Sequence, residues 1–406
     1  MLGDLLKEAG IDSKNFKQKK TLQTIEKKQD TKVKEVVKKS IIKFKKEGIL
    51  KLKLTTISPI HIGSGEVYEP TNFVIDKNIL YHFRDEDFFM ALNAEQQKNF
   101  MRIIDEYKED SFSRINKFVK NNVDIAKKVA FLKVKTTEAL QNEYNKKIGQ
   151  ISQLEQNKGN YVKVFNKFEI QRIQRKQLKA NDGVYNYLGY ITGSSIKGSV
   201  STAYREFIYK NEGEKALHEK FENKDITKDI FKKLKISDST VLKVGTKIGY
   251  ACNKERFEDD ETGISTFIET INADSEFIVN ITYEDLNMQD ILNSLNEHYL
   301  PIFKTIFQEE TKGKDEYILE YLNDSFYEKY KKFQPKESQF LLRVGKHSGA
   351  RAVTIDGLRD ISVKESKYRT LKHQKEETTT WLFGEKSHAT KDLLHFGWVL
   401  CEIIDD

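Results

Sequence analysis

The sequence predicts a mixed α+β fold in which short strands are separated by inserted helices. Leu50, Leu52 and Leu54 alternate with Lys51 and Lys53, the period of a half-buried strand. Phe277, Val279, Ile281 and Tyr283 repeat that alternation further along. Elsewhere apolar residues fall three and four apart, as Phe112, Ile115, Phe118 and Val119 do, which is helical spacing. Strands scattered among helices, rather than alternating regularly with them, place the chain in the α+β class.

Residues 1–47 read as a Lys-rich helical extension with one weak apolar stripe at Val33, Val36, Val37 and Ile41. A strand from about Leu50 to Ile57 follows, then SPIHIGSGEVYEP, where Pro59, Gly63, Gly65 and Pro70 break regular structure. Phe73–Ile75 and Ile79–Tyr81 predict a hairpin about Asp76-Lys77-Asn78. Asp85 is placed to cap a helix carrying Phe88, Phe89 and Leu92. Strand, glycine loop, hairpin and helix is the order in which a ferredoxin-like half begins. Residues 100–180 contain no proline, and their polarity and spacing predict a helical, basic insertion.

Tyr187–Ile191 is aromatic and β-branched enough to end a strand. Gly193-Ser194-Ser195 then turns the chain and offers Ser194 or Ser195 as the N-cap of a helix burying Ile196, Val200, Ala203, Tyr204 and Phe207. Residues 213–235 read as helical, and Val241–Val244 and Ile248–Ala251 as short strands. Ile264–Ile271 and Glu276–Tyr283 are expected to pair as a hairpin around Asn272-Ala273-Asp274-Ser275. Residues 286–332 return to helix, SQFLLRVGKHSGARAVTIDGLR is a strand running into a glycine-flanked turn, and HFGWVLCEII is a closing strand. The expected division is an extension at 1–47, a core at 48–285 and an α+β region at 286–406.

Charge distribution says more than the net value of +7. Residues 1–50 carry a surplus of seven positive charges and residues 101–180 a surplus of nine, so the remainder is slightly acidic. Two basic blocks on an acidic body suit a polyanionic partner, and Lys-rich solvated helices fit the same numbers. No apolar run reaches membrane-spanning length, and MLGDLLKEAG lacks the order of a signal peptide. Cys252 and Cys401 stand alone, with no CxxC spacing, and the histidines at 61, 82, 218, 298, 347, 373, 388 and 395 form no ligand pattern. The expectation is a reducing, cytoplasmic setting without metal or cofactor.

Chemical motifs are sparse. Gly63-Ser64-Gly65 could cradle a phosphate, but GxGxxG fails at Tyr68. Gly193 has Gly198 five residues on, yet Ser199 stands where a Walker loop needs Lys. Small residues, open helix donors and Lys197, with Ser201 and Arg205 at four-residue steps, suit an anion, and an ordinary capped helix with a basic face has the same pattern. His61, just after a strand, has the residue type of a general acid or base but no carboxylate or nucleophile at a recognisable spacing. Lys346-His347-Ser348-Gly349 offers contacts to RNA rather than chemistry. Tyr185, Tyr187 and Tyr190 interleave with Lys197 and Arg205, a composition that can stack bases and hold phosphates.

GYITGSSIKGSVSTAYR resembles the PGSS-[IL]-[KR]-G signature of the RAMP superfamily of CRISPR–Cas proteins. With LTTISPIHIGSG before it, LRVGKHSGARAVTI late and HFGWVLCEI at the end, the chain is similar over residues 50–406 to the family of fifth Csm subunits of type III-A effector complexes. Thr192 stands where that signature often has Pro, and Ser201 where it often has Arg. The resemblance implies a ferredoxin-like (RRM-like) core with helical insertions and a second, degenerate half. It implies a non-catalytic subunit that binds guide RNA (crRNA) and caps the backbone filament at the crRNA 3′ end. Implied partners are crRNA, a neighbouring backbone RAMP subunit and a small helical Csm subunit, with crRNA maturation through recruited host nucleases. RNA contacts are then expected at His61, Gly63, Ser64, Gly65, Gly193, Ser194, Ser195, Lys197, Ser201, Arg205, Lys346, His347, Ser348 and Gly349. The alternative is a metal-independent RNA endonuclease of the same superfamily using His61.

Overall fold

Leu50, Leu52 and Leu54 are buried and the lysines between them are only half-buried, so Glu47–Thr56 forms the expected strand, β1. A computed structural model describes residues 44–406 apart from 107, 109, 158–159, 166–167, 182, 222–228, 257–262, 308–319, 365–370 and 405–406. The expected N-terminal extension lies almost wholly outside the described residues.

β1 is the centre of a five-stranded sheet. Its other members, with two helices, are α1 (Gly193–Glu212), β2 (Leu234–Ile236), β3 (Glu276–Glu284), α2 (Met288–Phe307), β4 (Gln339–Arg343) and β5 (Trp398–Ile403). The order is β2-β3-β1-β5-β4, antiparallel throughout. Read from β5, the strands follow the 4-1-3-2 order of a ferredoxin-like βαββαβ sheet, with α1 after the first strand and α2 after the third. β4 adds an edge. The last strand thus completes the sheet that residue 47 begins.

α1 packs against α2, and both reach β4. Ile196, Val200, Ala203 and Ile208 of α1 and Leu295, Tyr299, Phe303 and Phe307 of α2 are buried. The Phe303 ring lies 5.0 Å from Trp398 of β5, edge-on. Burial of each such side chain contributes roughly 1.5–3 kcal/mol.

A second, nine-stranded sheet holds Gly63–Tyr68, Ile170–Ile173, Ser265–Thr270, Lys247–Glu255, Leu132–Thr136, Ile79–His82 and Phe73–Asp76 in that order, with Thr379–Gly384 beside Lys247–Glu255 and Leu394–His395 beside Thr379–Gly384. Two of its pairs are parallel, so it does not repeat the first sheet's order. Tyr68, Phe73, Tyr144, Phe168 and Tyr250 fill its core. The hairpin at Asp76–Ile79 forms as expected: Lys77 and Asn78 both take left-handed φ, 51° and 59°, the signature of a two-residue turn. Among the described residues no helix is long and apolar enough to cross a membrane.

Four local expectations are corrected. Arg84, not Asp85, is the N-cap of Asp85–Ala91, and the acids of that first turn complement the helix dipole instead. Ser265–Thr270 and β3 do not pair with each other. They join different sheets, and the Thr56 hydroxyl holds the crossover by donating to the Asn272 carbonyl at 2.7 Å and accepting from the Ser275 N–H at 2.8 Å. Alternation specifies a buried face, not a neighbour. The stretch 100–180 is helical only in part. Leu132–Thr136 is a strand of alternating burial, and Ile151–Asn157, Asn160–Phe165, Ile170–Ile173 and Arg175–Lys179 are strands too. Val241–Val244 is no strand; Leu242 is buried there with its N–H on the Gly189 carbonyl.

Candidate nucleic-acid interface

The start of α1 is fixed by its neighbours. Thr192, in extended conformation, is the N-cap: its hydroxyl accepts from the Ser195 N–H at 3.3 Å and shares a 2.8 Å bond with the Ser195 hydroxyl. The sequence pattern pointed to Ser194 or Ser195. The Gly193 N–H donates to Asp238 Oδ1 at 2.9 Å, a bond that holds the Asp238 carboxyl below its usual range, and Lys176 pairs with the same carboxylate at 3.2 Å. A protein carboxylate therefore sits where the sequence suggested a phosphate on the helix donors.

Lys197 also turns elsewhere. Its ammonium donates to the Phe231 and Leu234 carbonyls, both at 2.7 Å, fastening the helix to the turn before β2. Arg205 Nε donates to the Ser201 hydroxyl at 3.1 Å, and the guanidinium lies 4.7 Å over the Phe221 ring. Lys197, Ser201 and Arg205 thus form one face turned toward Phe221, Phe231 and Leu234.

The opposite side of α1 lines a groove of about 540 Å³. Two distant stretches meet there. The Lys346 N–H donates to the His61 carbonyl at 2.9 Å, and Gly345, with φ of +85°, brings its backbone so close that a Cβ would stand 2.5 Å from that oxygen. Gln174 braces the same stretch, its N–H on the Ile62 carbonyl at 2.7 Å and its side chain on the Gly63 carbonyl at 3.3 Å.

His61 is buried, and its Nδ1 lies 2.7 Å from the Glu269 carbonyl. A carbonyl only accepts, so Nδ1 carries the proton and Nε2, beside Gly63, keeps its lone pair. Burial pulls the ring's pKa below its ordinary value, and the charge of Lys346 adds to this. The Glu269 carboxylate beneath is fully buried and accepts from Arg175, Thr246, the Tyr68 hydroxyl at 3.0 Å and the Ile173 N–H at 3.3 Å.

The groove brings together His61, Gly63, Ser194, Ser195, Lys346 and Ser348 of the expected set. Ser64 and Gly65 belong instead to a bulged edge strand, Gly63–Tyr68, with the Ser64 hydroxyl on the Arg172 carbonyl at 3.3 Å. Gly193 packs against Ile236 and Ser237. His347, expected to touch RNA, turns its ring inward, 4.6 Å from Trp381 and 5.2 Å from Phe396, where burial lowers its pKa to about 3. Gly349, with φ of +77°, starts the short helix Ala350–Val353.

Thr192, Gly198, Ser199, Thr202, Gln174 and Arg343 also line the groove and were missed. Ser195, Ser199 and Thr202 were legible as a polar stripe at helical spacing. Ser199 donates to the Arg343 carbonyl at 2.8 Å, and Arg343 itself is buried, its Nε on the Phe396 carbonyl at 3.0 Å and its pKa lowered by burial to about 10. Lys346 is exposed, reaching Gln171 Oε1 at 2.6 Å. The result is a hydroxyl-rich, glycine-containing groove lined in part by the exposed Lys346 and, among the described residues, by no carboxylate. Such walls admit a sugar–phosphate chain and supply donors for phosphate and 2′-hydroxyl oxygens. Among the described residues no group of three His, Cys, Asp or Glu is placed to hold a metal ion.

The sequence profile of the RAMP superfamily matches residues 53–348, from β1 to the last groove residue of the Gly345–Ser348 turn. The chain belongs to the RAMP superfamily. Among solved structures, this RAMP protein is similar to a chain of a Csm–crRNA–target RNA ternary complex from a type III-A CRISPR–Cas system. The two share 15% identity and a TM-score of 0.55, over 87% of this chain and 100% of that one. At that identity the likeness is one of fold. The crystal structure of T. onnurineus Csm5 aligns over 86% of this chain and 99% of its own, at 15% identity and a TM-score of 0.48. No curated protein matches the sequence.

Proposed function

We propose that this RAMP protein is a non-catalytic crRNA-binding subunit of a type III-A CRISPR (Csm) effector complex. It caps the backbone filament at the crRNA 3′ end, contacts a neighbouring backbone RAMP subunit and a small helical Csm subunit, and supports crRNA maturation, through recruited host nucleases, and antiviral defence. The observation that carries the RNA-binding part is the convergence of three distant stretches, 61–63, 192–202 and 343–348, on one groove. The groove's hydroxyls and glycines suit a backbone held without reading its sequence. Superfamily membership and the fold shared with a chain of a Csm–crRNA complex support the place in the assembly.

The test is the affinity of the full chain for single-stranded guide-repeat RNA across a salt series. Lys346→Ala is expected to weaken binding and lower the salt slope by about 1, with little dependence on base sequence. Lys197→Ala serves as the contrast: its ammonium is held by two carbonyls, so the slope should stay as in the parent. An unchanged slope in Lys346→Ala removes the groove assignment.

A second reading has one observation in its favour. His61 presents an unprotonated Nε2 at the groove, oriented through Nδ1 as a general base would be. The same RNA incubated with the protein in EDTA is expected to remain intact. A defined cut, lost in His61→Ala, would make the protein a metal-independent endonuclease instead.

A further inference from the structure

A second cavity, about 310 Å³, is lined in part by the same two segments that frame the groove. In its lining, Arg175 follows Gln174 of the groove directly and Gly189 precedes Thr192 of the groove by three residues. Its volume is at the small end of ligand pockets, which span roughly 300–1,000 Å³.

The lining is aromatic and cationic. Tyr187 and Phe131 form a fixed wall, with rings 4.8 Å apart and the Tyr187 hydroxyl accepting from Arg84 at 3.1 Å. Tyr185 lies on the same strand face two residues away and is 47% exposed, while Val244 opposite the strand segment is 67% exposed. Two residues along a strand span about 6.6 Å, close to twice the ~3.4 Å step between stacked bases. Lys133 and Lys243 are exposed members of the lining, and among the described residues no carboxylate lines the cavity. Arg175 is engaged with Glu269 and the Tyr187 carbonyl, so it is wall rather than ligand.

We infer that this cavity is a nucleobase pocket for single-stranded RNA, in which one unstacked base enters between Tyr185 and the Tyr187–Phe131 wall. Lys133 and Lys243 meet its flanking phosphates. The inference rests on the reading of the chain as an RNA binder and adds a second, separate subsite. Aromatic stacking accepts any base, so the pocket positions the strand without selecting sequence.

The experiment uses the full chain and single-stranded RNAs carrying 2-aminopurine at successive positions, read by anisotropy and by quenching. Tyr185→Ala is expected to weaken binding about 10-fold, remove quenching at one position and leave the salt slope unchanged. Tyr185→Phe should bind and quench like the parent, and Lys243→Ala should lower the slope by about 1. Parent-like binding and quenching in Tyr185→Ala, with Lys346→Ala still weakened, overturns the pocket and leaves the groove standing. The reverse pattern keeps the pocket and removes the groove. A parent protein that binds no RNA removes both.

Discussion

Glu269→Ala is expected to lower the stability of the fold by about 3–5 kcal/mol, because it leaves the buried Arg175 guanidinium without its counter-charge. The carboxylate has no exposed surface, and each of its oxygens accepts two hydrogen bonds, from Arg175 and Thr246 on one side and from Tyr68 and the Ile173 N–H on the other. The Arg175 side chain is 9% exposed, so water cannot take over that role. Denaturant unfolding should show a lower midpoint at an unchanged slope. Replacing both partners, Glu269→Leu with Arg175→Leu, should recover part of the loss, since an apolar pair carries no desolvation cost. A single variant within 1 kcal/mol of the parent would show that the buried pair does not carry this stability. Glu269 also holds His61 through its carbonyl and Arg175 holds the Tyr187 carbonyl, so this one ion pair supports both concavities.

Two glycines of α1 should respond in opposite ways to the same methyl group. At Gly193 a Cβ would stand 2.8 Å from the Ser237 carbonyl and nearer still to that of Ile236, and backbone cannot swing aside. Gly193→Ala is therefore expected to cost about 1–3 kcal/mol, and displacement of Ser194 and Ser195 should weaken RNA binding about 10-fold. At Gly198 a Cβ meets nothing within 4 Å. Gly198→Ala should raise stability by about 0.5–1 kcal/mol, the usual gain inside a helix, while the methyl narrows the groove and weakens RNA binding. Gain of stability with loss of affinity would identify Gly198 as a glycine needed for access to the groove. If Gly198→Ala binds RNA as tightly as the parent, the strand does not lie against α1.

Local patterns were the legible part of this chain. The leucine alternation of β1, the left-handed turn at Lys77 and Asn78, and the apolar stripe of α1 each rest on neighbours in sequence. Pairing was not legible. Ser265–Thr270 and β3 look like one hairpin, yet the turn between them carries the chain from one sheet to the other, a choice made by Thr56 two hundred residues away. A strand ending near Tyr187–Ile191 was legible and forms as Tyr185–Gly189, but its partner Arg175–Lys179 was hidden for another reason: it is largely exposed, so it shows no apolar alternation.

The site divides along the same line. His61, Ser194 and Lys346, which residue type and glycine context mark in the sequence, line the groove. The direction in which a lysine or histidine points is decided by tertiary partners: the Phe231 and Leu234 carbonyls take Lys197, and Trp381 with Phe396 takes His347. The Lys197–Arg205 face of α1 is therefore a fastening of the fold, and the groove draws its polar lining largely from serine and threonine hydroxyls.

The most direct test of the central claim is a residue-level RNA–protein crosslinking map of the protein assembled with its guide RNA. Crosslinks at 61–63, 194–202 and 345–348 are the expected result. Crosslinks on the Lys197–Arg205 face with none in the groove, or contacts with protein partners alone, would contradict it.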